Sequence, residues 1–148
     1  VAGNSTPQFT KNGNVNSVLV TAANTSSAGG GTIATDIFKA FTADTTNGAY
    51  VERVDFVAVA TTPTTTTATV GRVFLSSQTS GATTSANTWL IGEVALPAAA
   101  ADNTATATNP VSVPVGYRIP AGYTILVTNH AGPAANSNWR ANVIGGDY

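Results

Sequence analysis

The tightest constraint in this sequence is a repeated short alternation of apolar and polar residues that stops each time at a turn. Residues 15–22 put Val18 and Val20 on one side and Val15 and Leu19 on the other. Residues 68–76 set Val70 and Phe74 against Val73 and Leu75, and 88–96 set Leu90, Val94 and Leu96 against Trp89, Ile91 and Glu93. Tyr123, Ile125 and Val127 share a side in 123–128, as do Trp139, Ala141 and Val143 in 138–144. Side chains alternate across a strand, so a period of two predicts half-buried β-strands. Asn47-Gly48, Ser80-Gly81, Pro120-Ala121-Gly122 and Ala131-Gly132-Pro133 supply turn residues between them.

Three stretches read differently. Residues 50–60 are apolar on both sides from Val54 to Ala60 except at Asp55, which predicts a strand covered twice, the second time by a neighbouring subunit. In 32–42, Ile33, Ile37 and Phe41 fit strand parity and, with Phe38, a helical stripe; the preceding Gly29-Gly30-Gly31 and the β-rich surroundings favour a strand. Residues 108–115 contain Pro110 and Pro114, which suit an edge strand. The Thr-rich patch 61–67 and the Ala-rich patch 98–107 read as loops, because Pro63 interrupts one and Pro97 opens the other.

Short strands with almost no helical pattern predict an all-β, antiparallel two-sheet sandwich. Eight strands in two sheets make a jelly roll the leading topology, with an immunoglobulin-like sandwich as the alternative. Residues 1–13 read as an extended N-terminal arm on a single domain of residues 14–148. The expected core is Val54, Phe56, Val70, Phe74, Leu90, Val94, Ile125, Val127 and Val143.

Charge narrows function. Charged residues form 9% of 148, with a net charge of −1, against about 25% in an ordinary domain. Nucleic-acid binding needs clustered Lys and Arg, and none cluster here. With no Cys, disulfides, thiol catalysis and Cys-held zinc are excluded. No apolar run reaches the roughly 18 residues of a membrane span, and no signal peptide is expected. Val1-Ala2 in a chain without Met fits removal of an initiator, with a processed precursor as the alternative.

No catalytic pattern emerges. His130 lies where a strand enters a turn, with no nucleophile-and-acid arrangement around it. Glu52 and Asp55 have opposite parity, Glu93 stands alone, and Asp44, Asp102 and Asp147 fall in loops or at the end, so no carboxylate pair forms. Glu52-Arg53-Val54-Asp55 reads as a solvated strand end with an ion pair. Gly29-Gly30-Gly31-Thr32 lacks the Lys and helix of a phosphate loop and reads as a flexible connector. Trp89, Trp139, Tyr117 and Tyr123 could stack on a sugar, with Asn136 and Asn138 as polar neighbours, although core packing is the simpler role for aromatics in a sandwich. The expectation is a chain without enzymatic activity, cofactor or metal. Its surface of hydroxyls, amides and small apolar groups suits packing against other protein chains.

Specific stretches carry a resemblance. Val51-Glu52-Arg53-Val54, Ala68-Thr69-Val70-Gly71-Arg72-Val73-Phe74-Leu75 and Trp89-Leu90-Ile91-Gly92-Glu93-Val94-Ala95-Leu96-Pro97 are followed by Ile119-Pro120-Ala121-Gly122-Tyr123-Thr124-Ile125-Leu126-Val127. The chain closes with Trp139-Arg140-Ala141-Asn142-Val143-Ile144-Gly145-Gly146-Asp147-Tyr148. Over residues 22–148 this resembles small structural proteins of tailed bacteriophage particles, many of which end in Gly-Gly-Asp-Tyr. The resemblance implies a capsid decoration (cement) protein on the outer surface of the virion, made in the bacterial host cytoplasm. Head-fibre and tail components are the alternative, and a carbohydrate-binding module for host attachment is the alternative of another class. It also implies a homotrimer bound to the major capsid protein lattice; the low charge and the lack of a long apolar run add the expectation of no nucleic-acid or membrane partner. Pro7, Phe9 and Tyr148 are the candidate capsid or subunit contacts.

Overall fold

The computed structural model describes residues 10–101 and 109–148. It is all-β. Its strands are β1 (Asn12–Val20), β2 (Gly31–Thr32), β3 (Phe38–Thr42), β4 (Ala49–Ala60), β5 (Thr64–Thr65), β6 (Thr69–Ser76), β7 (Ala82–Thr83), β8 (Thr88–Leu96), β9 (Ala100–Ala101), β10 (Val111–Ile119), β11 (Thr124–Asn129) and β12 (Ser137–Asp147). The eight longer strands form two four-stranded antiparallel sheets, ordered β1-β12-β4-β10 and β3-β11-β6-β8. Counting only those eight, the first pairs with the last, the second with the seventh, the third with the sixth and the fourth with the fifth.

The sheets pack face to face over Val20, Val54, Phe56, Val73, Ile125, Val127, Trp139 and Val143, all buried. Each such side chain contributes about 1.5–3 kcal/mol by leaving water. Alternation places them: Val18 and Val20 point inward from β1, and Trp139, Ala141 and Val143 from β12. Gly71 makes room at the centre, because a methyl there would lie 3.0 Å from the Phe56 ring. As Pro110 and Pro114 suggested, β10 is an edge strand.

Several expectations need correction. Residues 32–42 are not one strand. The chain turns after β2, Ala34 takes a left-handed φ of 71°, and β3 starts at Phe38. Ile33 and Ile37 from this turn meet Phe74 and Leu126 on the outer side of the second sheet. Phe74 is therefore buried as expected, but in a second apolar cluster and not between the sheets. Leu90 is 39% exposed. Its strand carries a bulge: Val73 pairs with Gly92 but Phe74 pairs with Leu90, so Ile91 is an extra residue and parity reverses beyond it. Val94 only partly joins the core, and Val70 is half-buried on the outer side.

The two low-complexity patches are not simply loops, because Thr64 and Thr65 pair with Ala101 and Ala100. The Gly29–Gly31 connector is held in place: the Asn24 side chain donates to Gly30 O (3.0 Å) and Gly30 N–H donates to Ser26 Oγ (3.1 Å). Within the chain, β4 is covered on one face only, with Val57 and Val59 half-buried on the other. Strand β1 begins inside the span 1–13 expected to be an extended arm. Asn12 and Gly13 belong to β1, paired with Asp147 and Gly146. Pro7 and Phe9 lie outside the described residues.

Candidate interaction surface

The closing Gly-Gly-Asp-Tyr has a local structural logic. A methyl at Gly145 would fall on the Tyr50 carbonyl oxygen of β4, and one at Gly146 would lie 2.7 Å from Asn12 O of β1. Glycines therefore let β12 run tightly between its two neighbours. Asp147 then ties three segments together. Its Oδ1 accepts from Asp44 N–H (3.2 Å), its Oδ2 from Asn14 Nδ2 (3.3 Å), and its backbone carbonyl from Lys11 N–H (2.7 Å).

Tyr148 ends the strand packed on the sandwich. Its N–H donates to Gly48 O (3.2 Å), and the Arg118 guanidinium lies 4.8 Å from its ring centre. A cation over an aromatic face is worth about 0.5–1 kcal/mol at an exposed site. Because Asn12 pairs with Asp147, the chain enters β1 at the end of the molecule that holds Tyr148. The structure thus places Tyr148 at the same end of the first sheet as the start of β1, on the side toward β4 and β10.

Asp44 shapes the same end. Its Oδ1 accepts backbone N–H groups of Asn47 (2.7 Å) and Thr46 (2.9 Å), and these hold its carboxyl below the usual value of 3.8. A carboxylate whose pKa is depressed by folding adds stability that is complete above its unfolded value and is lost as pH falls through the folded one. The contribution of Asp44 should therefore begin to fall once pH drops past the ordinary value of 3.8 and be gone only below its lower folded value. An NMR titration of its carboxyl carbon should give a midpoint below that of an aspartate in an unstructured peptide, and Asp44→Asn should flatten the fall of the urea midpoint between pH 5 and pH 2. A midpoint equal to the peptide's would contradict the turn geometry.

The outward face of the first sheet is a second candidate. Val15, Ile144 and Arg53 form one cross-strand row, Ser17, Asn142, Asp55 and Ser112 the next, and Leu19, Arg140 and Val57 a third. Arg53 donates to both Glu52 and Asp55, and the Ser112 hydroxyl donates to Asp55. Parity separates Glu52 from Asp55, yet Glu52 is an extra residue where Ile144 pairs with Arg53 and Gly145 with Val51. That bulge leaves it within reach of Arg53. Val15 is 70% exposed, and Leu19, Val57, Val59 and Ile144 are half-buried, so an apolar stripe runs through these charges.

The second sheet carries a buried cation. Arg72 donates to Glu93 Oε2 (3.2 Å) and to Asn24 O (3.3 Å), and its Nη2 lies 3.4 Å from His130 Nδ1. Glu93 is therefore not isolated, and His130 is a turn residue on the rim of this network. Among the described residues no three His, Cys, Asp or Glu side chains gather as a metal site would require. The four aromatics do not form one platform. Trp139 is 3% exposed and its indole N–H donates to Thr67 O, whereas Trp89 is 41% exposed and stacks on Tyr123 with centroids 6.3 Å apart.

Comparison of the chain with protein-family models, curated proteins and solved structures gave no match.

Proposed function

We propose that this chain is a virion structural protein, a capsid decoration (cement) protein with a jelly-roll fold that binds an assembled phage shell and stabilises it. The observation that carries the reading is the pairing order of the eight long strands: first with last, second with seventh, third with sixth, fourth with fifth. That order is what results when a long antiparallel hairpin is rolled into two sheets, and double-sheet jelly rolls recur among viral capsid domains. The phage-like Gly-Gly-Asp-Tyr terminus supports it, because those residues fix the end of the molecule where residues 1–9 join. In this reading Pro7 and Phe9 are contacts to the shell, and a homotrimer sits at a three-fold position of the lattice. The chain acts by mass action: it binds the assembled lattice and not the separated subunits, so it shifts the equilibrium toward the closed shell.

The test is to add the purified chain to particles stripped of it and to image them. Bound density on the outer shell, together with a higher temperature of genome release, is the expected result. Density confined to the tail, or no binding, overturns the proposal. Deleting residues 1–9, which leaves β1 intact, should preserve the β-rich circular dichroism spectrum and weaken shell binding. Full decoration by the truncated chain would move the grip to the sandwich itself.

A further inference from the structure

A shallow groove of about 210 Å³ opens on the outward face of the first sheet, where β1, β12 and the end of β4 meet. Its floor is aliphatic, from Leu19, Val59 and Ala60, and its polar wall holds Asn136, Asn138 and Arg140. The arginines of the chain differ in their partners, and Arg118 lies over the Tyr148 ring and donates to Asn47 O. Arg53 has two carboxylate partners and Arg72 has one. Among the described residues, the hydrogen bond of the Arg140 side chain goes to Ser17 Oγ (3.3 Å), and no carboxylate lies within ion-pair distance. The residue is half-buried between Leu19 and Val57 in its cross-strand row, and its guanidinium bonds Ser17 at an exposed position.

The wall beside it is held in an uncommon conformation. Asn136 is one of two non-glycine residues at positive φ among the described residues, at 64°, and its carbonyl accepts Thr61 N–H (3.0 Å). Asparagine is among the non-glycine residues that take this conformation most readily. That conformation places Asn136 at the mouth of the groove, and neither its side-chain amide nor that of Asn138 bonds another described residue.

We propose that this groove receives an acidic side chain, Asp or Glu flanked by apolar residues, from a protein partner. A guanidinium presents parallel N–H groups that match a carboxylate, and the aliphatic floor beside it gives the apolar residues flanking that acid a surface to bury. The amides supply a donor and an acceptor for the backbone on either side of that acid. An arginine set within a half-buried apolar stripe has the anatomy of an interface hot spot. The floor is aliphatic and no aromatic side chain lines the groove, so it lacks the stacking surface a sugar ring would use. Naming a protein as the donor, and the shell as that protein, rests on the function proposed above.

Two arms separate the inference from that reading. In the first, the isolated ¹⁵N-labelled chain is titrated with N-acetyl-Leu-Glu-Leu-amide, with its Gln counterpart and with glucuronate. The Glu peptide should give saturable shifts at Arg140 Nε–H and at the Asn136 and Asn138 amides, with affinity at least tenfold above the Gln peptide, and Arg140→Gln should abolish them. Equal response to the two peptides, or no response at these groups, overturns the proposal. Tighter binding of glucuronate than of the peptide overturns it in favour of a saccharide site. In the second arm, stripped particles are decorated with Arg140→Gln and with Lys39→Gln, which removes an equal charge from the other sheet. Shell affinity should fall at least tenfold for the first and less than twofold for the second. A positive peptide result with chains that never bind shells would leave the groove standing and remove the shell as its partner.

Discussion

Truncating Phe74 to alanine should lower the stability of the fold by about 3–5 kcal/mol, the range for emptying a fully buried phenylalanine site. Phe74 has no exposed surface and packs with Ile37 and Leu126, with Ile33 beside them. This cluster is small, and it is what fastens the turn after β2 to the second sheet. Removing the ring leaves a cavity and loosens that turn, so the site can relax only by detaching a covering segment. For a chain of this length the loss corresponds to a fall in Tm on the order of 10 °C. Urea denaturation should show a lower midpoint at unchanged slope. A loss below about 1 kcal/mol would mean that the cluster contributes nothing to the folded state.

The second large effect is expected from Gly145→Ala. The added methyl would meet the Tyr50 carbonyl and lie 3.0 Å from Val51 Cα. Both are backbone atoms of the central strand β4, so neither can rotate away. Overpacking of this kind costs about 1–3 kcal/mol, and rigid neighbours place it at the upper end. Gly146→Ala should cost less, because it meets Thr10 and Asn12 at the start of an edge strand that can move outward. Gly122→Ala provides a control. Its φ is +74° with open space around it, so only backbone strain of about 1–2 kcal/mol applies. Thermal melts of the three variants should rank Gly145→Ala lowest. A Gly145→Ala chain as stable as the parent would mean that β12 does not lie this close to β4.

Much of the sandwich was legible because burial follows parity. Val18 and Val20, and Trp139 to Val143, alternate in sequence as they do in space, whereas β11 is buried on both faces and its parity divides Ile125 and Val127 from Leu126 between two apolar clusters. Legibility failed where the ladder slips. Ile91 and Glu52 are extra residues in their strands, and each reverses or blurs the pattern beyond it, which is why Leu90 was expected inside and Glu52 apart from Asp55. Residues 32–42 misled because Ile33 and Ile37 suit a strand by spacing, while a left-handed Ala34 turns the chain between them. The pairing of Thr64-Thr65 with Ala100-Ala101 had no apolar pattern to reveal it. Tyr148 could be singled out from the terminal motif. The Arg140 groove could not, because Leu19, Val59 and Asn136 are far apart in sequence and only the β1-β12-β4 order brings them together.

The pairing of the first long strand with the last also sets a schedule for folding. The first sheet places β12 between β1 and β4, so those two strands have no direct ladder with each other. A growing chain can form the β6-β8 hairpin early, but β1 stays without its partner until β12 has left the ribosome. Closing so long a loop is entropically costly and slow, and a waiting strand with a bare edge is open to wrong partners. Chains cut short during synthesis lack β12 and should be recovered with chaperones or in insoluble aggregates, so that only molecules translated through Asp147 enter the folded pool.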